Sequence, residues 1–275
     1  MTSMEFYWTT SDGINIFAKD WSIEQPKAVI ALVHGMGEHC LRYDHVASFF
    51  NEQGYAMVGY DRRGHGQSGG KKGHAPNIGV LLDEIDDLLK QCKQRYANLP
   101  ILFYGHSMGG CLVVLHAIKR HPKVNAIFCS SPWIQLGTPP SGATKLVASL
   151  INRFAPSVTL SNGLNVKHIS KDPKEVKRYA DDPLVHNKIS IALALGMMDA
   201  SNEVNTLSGD FKYPLYILHG ADDQITAPTA SEALAKRLIG DVQMEILPDR
   251  YHEMHNDFHK EVVFEKVLHW MNRKI

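Results

Sequence analysis

Strand-like and helix-like segments alternate along most of the chain. The strand-like segments, mostly short apolar runs, occupy residues 28–34, 55–60, 101–104, 124–129, 215–219 and 242–247. Apolar positions three and four apart predict helices at residues 42–53, 77–97, 108–119, 228–239 and 261–272. Ser11-Asp12-Gly13 lies between two further strand-like segments and predicts a hairpin. This alternation predicts the α/β class, with a mostly parallel central sheet and helices on both faces.

The alternation is interrupted between residues 134 and 212. This stretch contains two helical patterns, at residues 143–154 and 189–198, and many Pro, Gly, Ser and Asn residues. We interpret it as a helical cap inserted before the last two strands, with a core formed by residues 1–133 and 213–275. The apolar side of the first pattern, which includes Leu146 and Leu150, either lines a lipid pocket, touches a membrane surface or packs on the core. Met197, in the second pattern, is another candidate for the pocket wall.

Charge and composition exclude several classes of protein. The 275 residues include 29 Lys and Arg and 29 Asp and Glu, so the formal net charge is zero, which argues against nucleic acid as the main partner. No apolar run reaches the roughly 18 to 20 residues that a membrane span needs. The first residues lack the pattern of a signal peptide, so we expect a cytoplasmic protein, with peripheral membrane contact as an open alternative. The four cysteines are widely spaced, which favours buried, reduced thiols over a metal or redox pair.

A serine motif stands where a strand meets a helix. The sequence GHSMG at residues 105–109 follows the strand at 101–104 and opens the helix at 108–119. This is the pattern of a nucleophile elbow, in which a sharp turn presents the hydroxyl of Ser107 at the carboxyl edge of the sheet. The same pattern recurs as GQSGG at residues 66–70, but the glycines and lysines that follow cannot readily begin a helix. We therefore interpret Ser68 as a structural loop residue.

The other parts of a serine hydrolase site follow the ends of other strands. A serine hydroxyl needs a general base, and in this fold an acid and then a histidine follow the serine along the chain. The strand at 215–219 leads into Asp222 and Asp223, and the strand at 242–247 leads into a loop with His252. The oxyanion hole is predicted to use the backbone amides of Met108 and Met36. Two further pocket candidates, Gly35 and His39, lie on the loop that carries the second of these amides.

Taken together, the motifs resemble the monoacylglycerol lipase and lysophospholipase branch of the α/β-hydrolases. The matching stretches are HGMGEH at 34–39 with Arg-Tyr at 42–43, DRRGHGQS at 61–68, GHSMGG at 105–110, DPL at 182–184, GADD at 220–223 and YH at 251–252. The resemblance implies that the acid is Asp223 and not Asp222, and that the base is His252 and not His255. It also implies a cap that shapes an acyl-chain pocket.

The predicted function is hydrolysis of lipid carboxylic esters, of which monoacylglycerols and lysophospholipids are the first candidates, without a metal or cofactor. A general carboxylesterase, a thioesterase, a peptidase or a non-catalytic binding module on the same fold remain alternatives. The stretch at 61–68 lacks the spacing of a phosphate loop, so we interpret it as a turn held by Asp61 and Ser68. The sequence HEMH at 252–255 is one residue short of a zinc-binding helix motif.

Overall fold

The computed structural model describes residues 2–275. In chain order its strands are β1 Thr2–Thr9, β2 Asn15–Ser22, β3 Ala28–Val33, β4 Tyr55–Tyr60, β5 Ile101–His106, β6 Ala126–Ser130, β7 Thr159–Ser161, β8 Lys188–Ser190, β9 Gly209–Asp210, β10 Leu215–Gly220, β11 Leu238–Ile239 and β12 Val242–Leu247. The α-helices are α1 Asp44–Glu52, α2 Ile78–Arg95, α3 Met108–Arg120, α4 Gly142–Asn152, α5 Pro173–Asp181, α6 Ile191–Asn205, α7 Pro228–Arg237 and α8 Lys260–Met271.

Eight of the strands form one sheet, in the order β1-β2-β4-β3-β5-β6-β10-β12. The hairpin β1–β2 is antiparallel and joins β4 in antiparallel fashion, whereas the remaining neighbours are parallel. This confirms the predicted α/β class with a mostly parallel sheet. Because parallel strands end at one edge, the loops after β3, β5, β10 and β12 meet there. These are the four loops that carry the predicted site residues.

Both faces of the sheet are covered, and β3 illustrates why its sequence is apolar throughout. Val29, Ala31 and Val33 pack in the core beneath α2, α3 and α7, while the alternating Ala28, Ile30 and Leu32 pack in the core beneath α1 and α8. Side chains of a strand alternate between faces, so a strand covered on both sides needs an apolar residue at each position.

The chain between β6 and β10 includes residues 134–212, the stretch that the sequence predicts to be an insertion. It contains α4, α5 and α6, and the short antiparallel pair β7–β8. The sequence predicts only the first and last of these helices. The missed helix, α5, is mostly polar and buries only Tyr179, so its apolar side is too short to be recognised in the sequence. Its start signals are nevertheless present, because Asp172 caps the Lys174 amide and Pro173 occupies the first turn.

Contacts with the rest of the molecule divide the insertion into two parts. Residues 162–205 are bound to the core: His39 Nε2 lies 3.0 Å from Asp182 Oδ2, the His186 ring lies 2.9 Å from the Gly64 carbonyl oxygen, and α6 packs on α2 and α3. By contrast, no residue of α4 is buried. Its packing partner is α6, and most of its apolar side faces outward.

The loop at 61–68 is the structural turn that its sequence predicts. The carboxylate of Asp61 accepts hydrogen bonds from the amides of Cys40 at 2.7 Å and Gln67 at 2.8 Å. The Ser68 hydroxyl donates to the Asp61 carbonyl and accepts from the Phe17 amide. Ser68 therefore holds the loop against β2, as expected of a structural residue. All four cysteine thiols are buried and free, which confirms the interpretation of their spacing.

Candidate active site

Ser107 occupies a strained turn between β5 and α3. Its φ of 53° and ψ of −118° lie in a region that residues other than glycine seldom adopt. The turn is held by hydrogen bonds from the Ser107 amide to the Ser130 carbonyl and from the Trp133 amide to the Ser107 carbonyl. It also requires glycine at position 109, where a Cβ would lie 2.0 Å from the Val33 carbonyl oxygen. The strain is the cost of presenting the hydroxyl above the sheet edge.

The structure brings Ser107, His252 and Asp223 into one chain of hydrogen bonds. His252 Nε2 lies 2.9 Å from Ser107 Oγ, and His252 Nδ1 lies 2.7 Å from Asp223 Oδ2. All three residues are buried. The two neighbouring candidates are engaged elsewhere. Asp222 binds the Lys171 ammonium at the surface, and the His255 ring stacks on Tyr43 at 4.7 Å.

The electrostatic interactions among these three residues favour an ionised carboxylate at Asp223 and a basic imidazole at His252. Burial raises the pKa of the Asp223 carboxyl, but His252 and a second imidazole beside the carboxylate more than offset this, so the pKa lies well below the usual range. For His252, burial lowers the pKa and Asp223 raises it, and the net result is a pKa above the usual value. An imidazole of this kind can accept a proton from the serine hydroxyl while the carboxylate stabilises the resulting imidazolium.

The two segments predicted to supply the oxyanion hole lie on either side of Ser107. Met108 is the first residue of α3, where amide groups have no partner within the helix. Met36 and Gly35 lie on the loop after β3 and line the same cavity as Ser107. A Cβ at position 35 would lie 3.2 Å from the Ser107 Cβ, so this loop passes very close to the serine. A substrate carbonyl bound at Ser107 would therefore lie next to both segments.

A buried cluster of charges ties this loop to the loop of His252. Arg42 donates two hydrogen bonds to the Glu253 carboxylate, at 2.8 and 2.6 Å, and one to Glu38 at 2.9 Å. Glu38 in turn accepts the Gly35 amide at 2.5 Å and the Tyr43 hydroxyl at 3.0 Å. Arg42 thus connects the residue that follows the histidine with the residue that shapes the oxyanion loop.

Above Ser107 lies a cavity of about 330 Å³, between the sheet edge and the insertion. Its wall combines apolar and polar side chains, among them Trp133, Leu136, Leu164, Ile189, Asn162, Asn165, His168, Tyr179 and Gln224. Nine of its lining residues, from Leu136 to Ile189, lie within residues 134–212, so this stretch forms a large part of the cavity wall.

Of the five predicted pocket residues, only Gly35 lines this cavity. His39 is turned toward Asp182, and Met197 is packed in the core because α6 lies on α2 and α3. Leu146 and Leu150 are more than half exposed to solvent. These four assignments were wrong for the same reason: the type of a residue does not reveal in which direction its segment faces.

Several residues around the site were not predicted. Thr226 donates its hydroxyl to Asp223 Oδ2 at 2.9 Å, and His219 lies 3.0 Å from the same oxygen. The sequence also did not predict the pairing of Arg42 with Glu253, although Arg42 lies in one family motif and Glu253 directly follows another. His219 lies only four residues before Asp223, but the sequence alone gives no reason to choose it over other strand histidines as a neighbour of the acid.

No helix among residues 2–275 combines the length and the apolar character that crossing a bilayer requires.

Comparison with known proteins agrees with this architecture. Residues 24–259 match the family described as serine aminopeptidase, S33. The chain is 29% identical to a monoacylglycerol lipase of Mycolicibacterium smegmatis, over 98% of this chain and 97% of that protein. It is 36% identical to an uncharacterized abhydrolase domain-containing protein of Dictyostelium discoideum, over its own full length but only 30% of that protein.

The fold of this chain is also found in a solved structure. The crystal structure of the Paleococcus ferrophilus monoacylglycerol lipase superposes with a TM-score of 0.85, at 28% identity over the whole of both chains. These matches confirm the resemblance found in the sequence and the prediction of an ester hydrolase. The protein is therefore an α/β-hydrolase that belongs to the serine aminopeptidase S33 family, within its monoacylglycerol lipase branch.

Proposed function

We propose that the protein hydrolyses the carboxylic ester of a single-chain lipid, a monoacylglycerol or a lysophospholipid, with Ser107 as nucleophile. The observation that carries this proposal is the unbroken hydrogen-bonded chain from Ser107 through His252 to Asp223, at the base of a cavity with both apolar and polar walls. The monoacylglycerol lipases among its relatives support the choice of substrate.

The reaction follows from the positions of the side chains. His252 takes the proton of the Ser107 hydroxyl at Nε2 while the oxygen attacks the ester carbonyl. Asp223 stabilises the imidazolium, and the amides of Met36 and Met108 bind the negative oxygen of the tetrahedral intermediate. The imidazolium then protonates the leaving alcohol. A water molecule, deprotonated by the same imidazole, cleaves the acyl-enzyme and releases the fatty acid.

The cavity wall supports a substrate with both apolar and hydroxyl-bearing parts. Trp133, Leu136 and Ile189 offer apolar surface for an acyl chain. Asn162 and Gln224 offer amide groups that can hydrogen bond to the hydroxyls of a glycerol or glycerophosphate head group. We propose that residues 134–212 act as the cap that closes this space.

We further propose that α4 contacts lipid surfaces transiently. Leu146 is 64% exposed, Leu150 is 53% exposed and Phe154, just beyond the helix, is 88% exposed. Large apolar side chains rarely gather on a surface without a partner, and a lipid-water interface is the place where the substrates of such an enzyme reside. Lys145 and Arg153 in the same segment suit the polar boundary of a membrane.

The decisive experiment compares turnover of monoacylglycerols, lysophospholipids, short nitrophenyl esters and amino-acid amides by the wild-type protein and by Ser107→Ala. We expect turnover of the single-chain lipids, and its loss by at least about a thousandfold in the variant, with the circular dichroism spectrum unchanged. Ser68→Ala is the matched control, because Ser68 lies in the other GxSxG match, and its variant should keep activity. Turnover of the amino-acid amides alone would identify a peptidase. Turnover of the shortest esters alone would identify a general esterase.

A non-catalytic binding module is the second candidate from another class. A fluorophosphonate probe separates the two, because it reacts only with an activated serine. Labelling of folded wild-type protein that disappears in Ser107→Ala supports the enzyme, whereas folded protein that takes no label contradicts it.

A further inference from the structure

Two imidazoles share one oxygen of Asp223. His252 Nδ1 lies 2.7 Å from Asp223 Oδ2, and His219 Nε2 lies 3.0 Å from the same atom. His219 belongs to β10, four residues before the acid, and its side chain has no exposure to solvent. The reaction as proposed above assigns it no step. A fully buried histidine in contact with the acid of a triad therefore calls for a role.

The ring of His219 is held from both sides. Ser231 Oγ, in α7, lies 2.8 Å from His219 Nδ1 and is itself buried. Because a carboxylate only accepts, His219 Nε2 carries a proton that it donates to Asp223 Oδ2, while the Ser231 hydroxyl holds the other ring nitrogen. Ser231, His219, Asp223, His252 and Ser107 then form one continuous chain of hydrogen bonds.

We propose that His219 is a positioning residue that holds Asp223 Oδ2 in place and weakens the pull of the carboxylate on the proton of His252. The proposal rests on the function proposed above. A hydrogen bond to a carboxylate oxygen draws off part of its negative charge, and in a buried site little solvent screens this effect. Without the bond, Thr226 would still donate to the same oxygen, but more of the charge of Asp223 would act on His252, which would then hold its proton to a higher pH.

Apart from Asp223, the charged groups around His252 make no polar contact with His219. From the adjoining elements, His252 faces the carboxylates of Asp223, Glu253 and Glu38, with Arg42 behind the two glutamates, and the rings of His106 and His255. The polar contacts of the His219 ring, by contrast, are Ser231, Thr226 and Asp223. A change in the titration of His252 in a His219 variant can therefore be assigned to the lost hydrogen bond.

The test compares His219→Leu, which removes the donor, with His219→Gln, whose amide can replace Nε2. The measurement is the pH dependence of kcat/KM on a short, water-soluble nitrophenyl ester. The hydrogen bond draws off only part of the charge of the carboxylate, so its effect is smaller than the one to three units of a full opposite charge, and we expect the acid limb of His219→Leu to move up by about half a unit. Its kcat should fall while KM stays unchanged, and His219→Gln should restore the wild-type limb.

If both variants lose kcat while their acid limb stays at the wild-type pH, His219 supports the fold only and the proposal is wrong. Should His219→Leu not fold, Ser231→Ala provides the same test, because it keeps the imidazole and removes the hydrogen bond that holds the ring from Nδ1 against Asp223. An upward shift of its acid limb supports the proposal, and an unchanged limb contradicts it. Failure of the proposed function is distinguishable, since wild-type protein would then neither hydrolyse the ester nor take the fluorophosphonate label.

Discussion

Replacing Arg42 by methionine tests whether the buried charge cluster holds the two catalytic loops together. Arg42 is 8% exposed, and its partners Glu38 and Glu253 are 1% and 3% exposed. The substitution keeps an unbranched side chain but leaves two carboxylates in the interior without a cation. Removing one partner of such a buried pair costs about 3–5 kcal/mol, which is a large part of the stability of an ordinary protein.

Urea unfolding at pH 7, followed by tryptophan fluorescence, measures this loss. With a denaturant slope near 3 kcal/mol/M, we expect the midpoint to fall by about 1 M or more. Two controls distinguish the loss of a buried ion pair from the general effect of removing a positive charge. Arg120→Met breaks an exposed pair with Asp83 and should cost less than about 1 kcal/mol. Adding Glu253→Gln to Arg42→Met removes one stranded charge and should restore part of the stability.

The pH dependence of the stability provides a second test of the charge cluster. In the wild type, burial raises the pKa of Glu253 but Arg42 lowers it further, to about 2. This group therefore stabilises the fold above its unfolded pKa of about 4.3, and the contribution is lost as the pH falls toward 2. Without Arg42, burial alone raises the pKa of the glutamates, so the variant loses stability as the pH rises above about 4.3. The difference in the free energy of unfolding between the wild type and Arg42→Met should therefore increase from pH 4 to 7. A deficit below about 1 kcal/mol at pH 7, or one that does not change with pH, would refute the argument.

Three further outcomes follow from the structure. The pKa of His252 lies above 6.5, because the neighbouring carboxylate outweighs burial, so kcat/KM of the wild type should rise with pH through a limb above that value. A limb at or below 6.5 would contradict the assignment. The double variant Leu150→Asp with Phe154→Asp should lose binding to phosphatidylcholine vesicles in a flotation assay while hydrolysing short nitrophenyl esters at the wild-type rate, and undiminished binding would exclude α4 as the contact. Gly37 has a φ of 79°, and a Cβ there would lie 2.4 Å from the His186 carbonyl, so Gly37→Ala should destabilise the protein by more than about 1 kcal/mol in urea unfolding.

Much of the fold follows from local patterns in the chain. The buried strands of the main sheet and the helices between them were predicted within a few residues, because each face covered by another layer demands apolar residues at a regular period. The positions of Ser107, Asp223 and His252 at strand ends followed from turn motifs and from the family resemblance. The parallel sheet then brings those ends to one edge, whatever the details of packing.

The surroundings of the site depend on contacts that no local pattern records. Arg42 reaches Glu253 across 211 residues, and His219 reaches Ser231 on another element. Hydrogen bonds of this kind depend on how a helix or loop is rotated on the sheet, which side-chain packing decides. The same applies to the insertion, where α6 turns Met197 into the core and α4 turns Leu150 to solvent.

The sequence by itself determined the class of fold and predicted the three residues of the candidate site, because these depend on periodicity, on the type of residue at each strand end and on the family motifs. Only the tertiary structure decided which side chains line the cavity, which buried charges join the loops and which second imidazole touches Asp223. The physical reason is that an apolar or polar residue specifies whether a position is buried, whereas its partner is specified only when distant elements pack together.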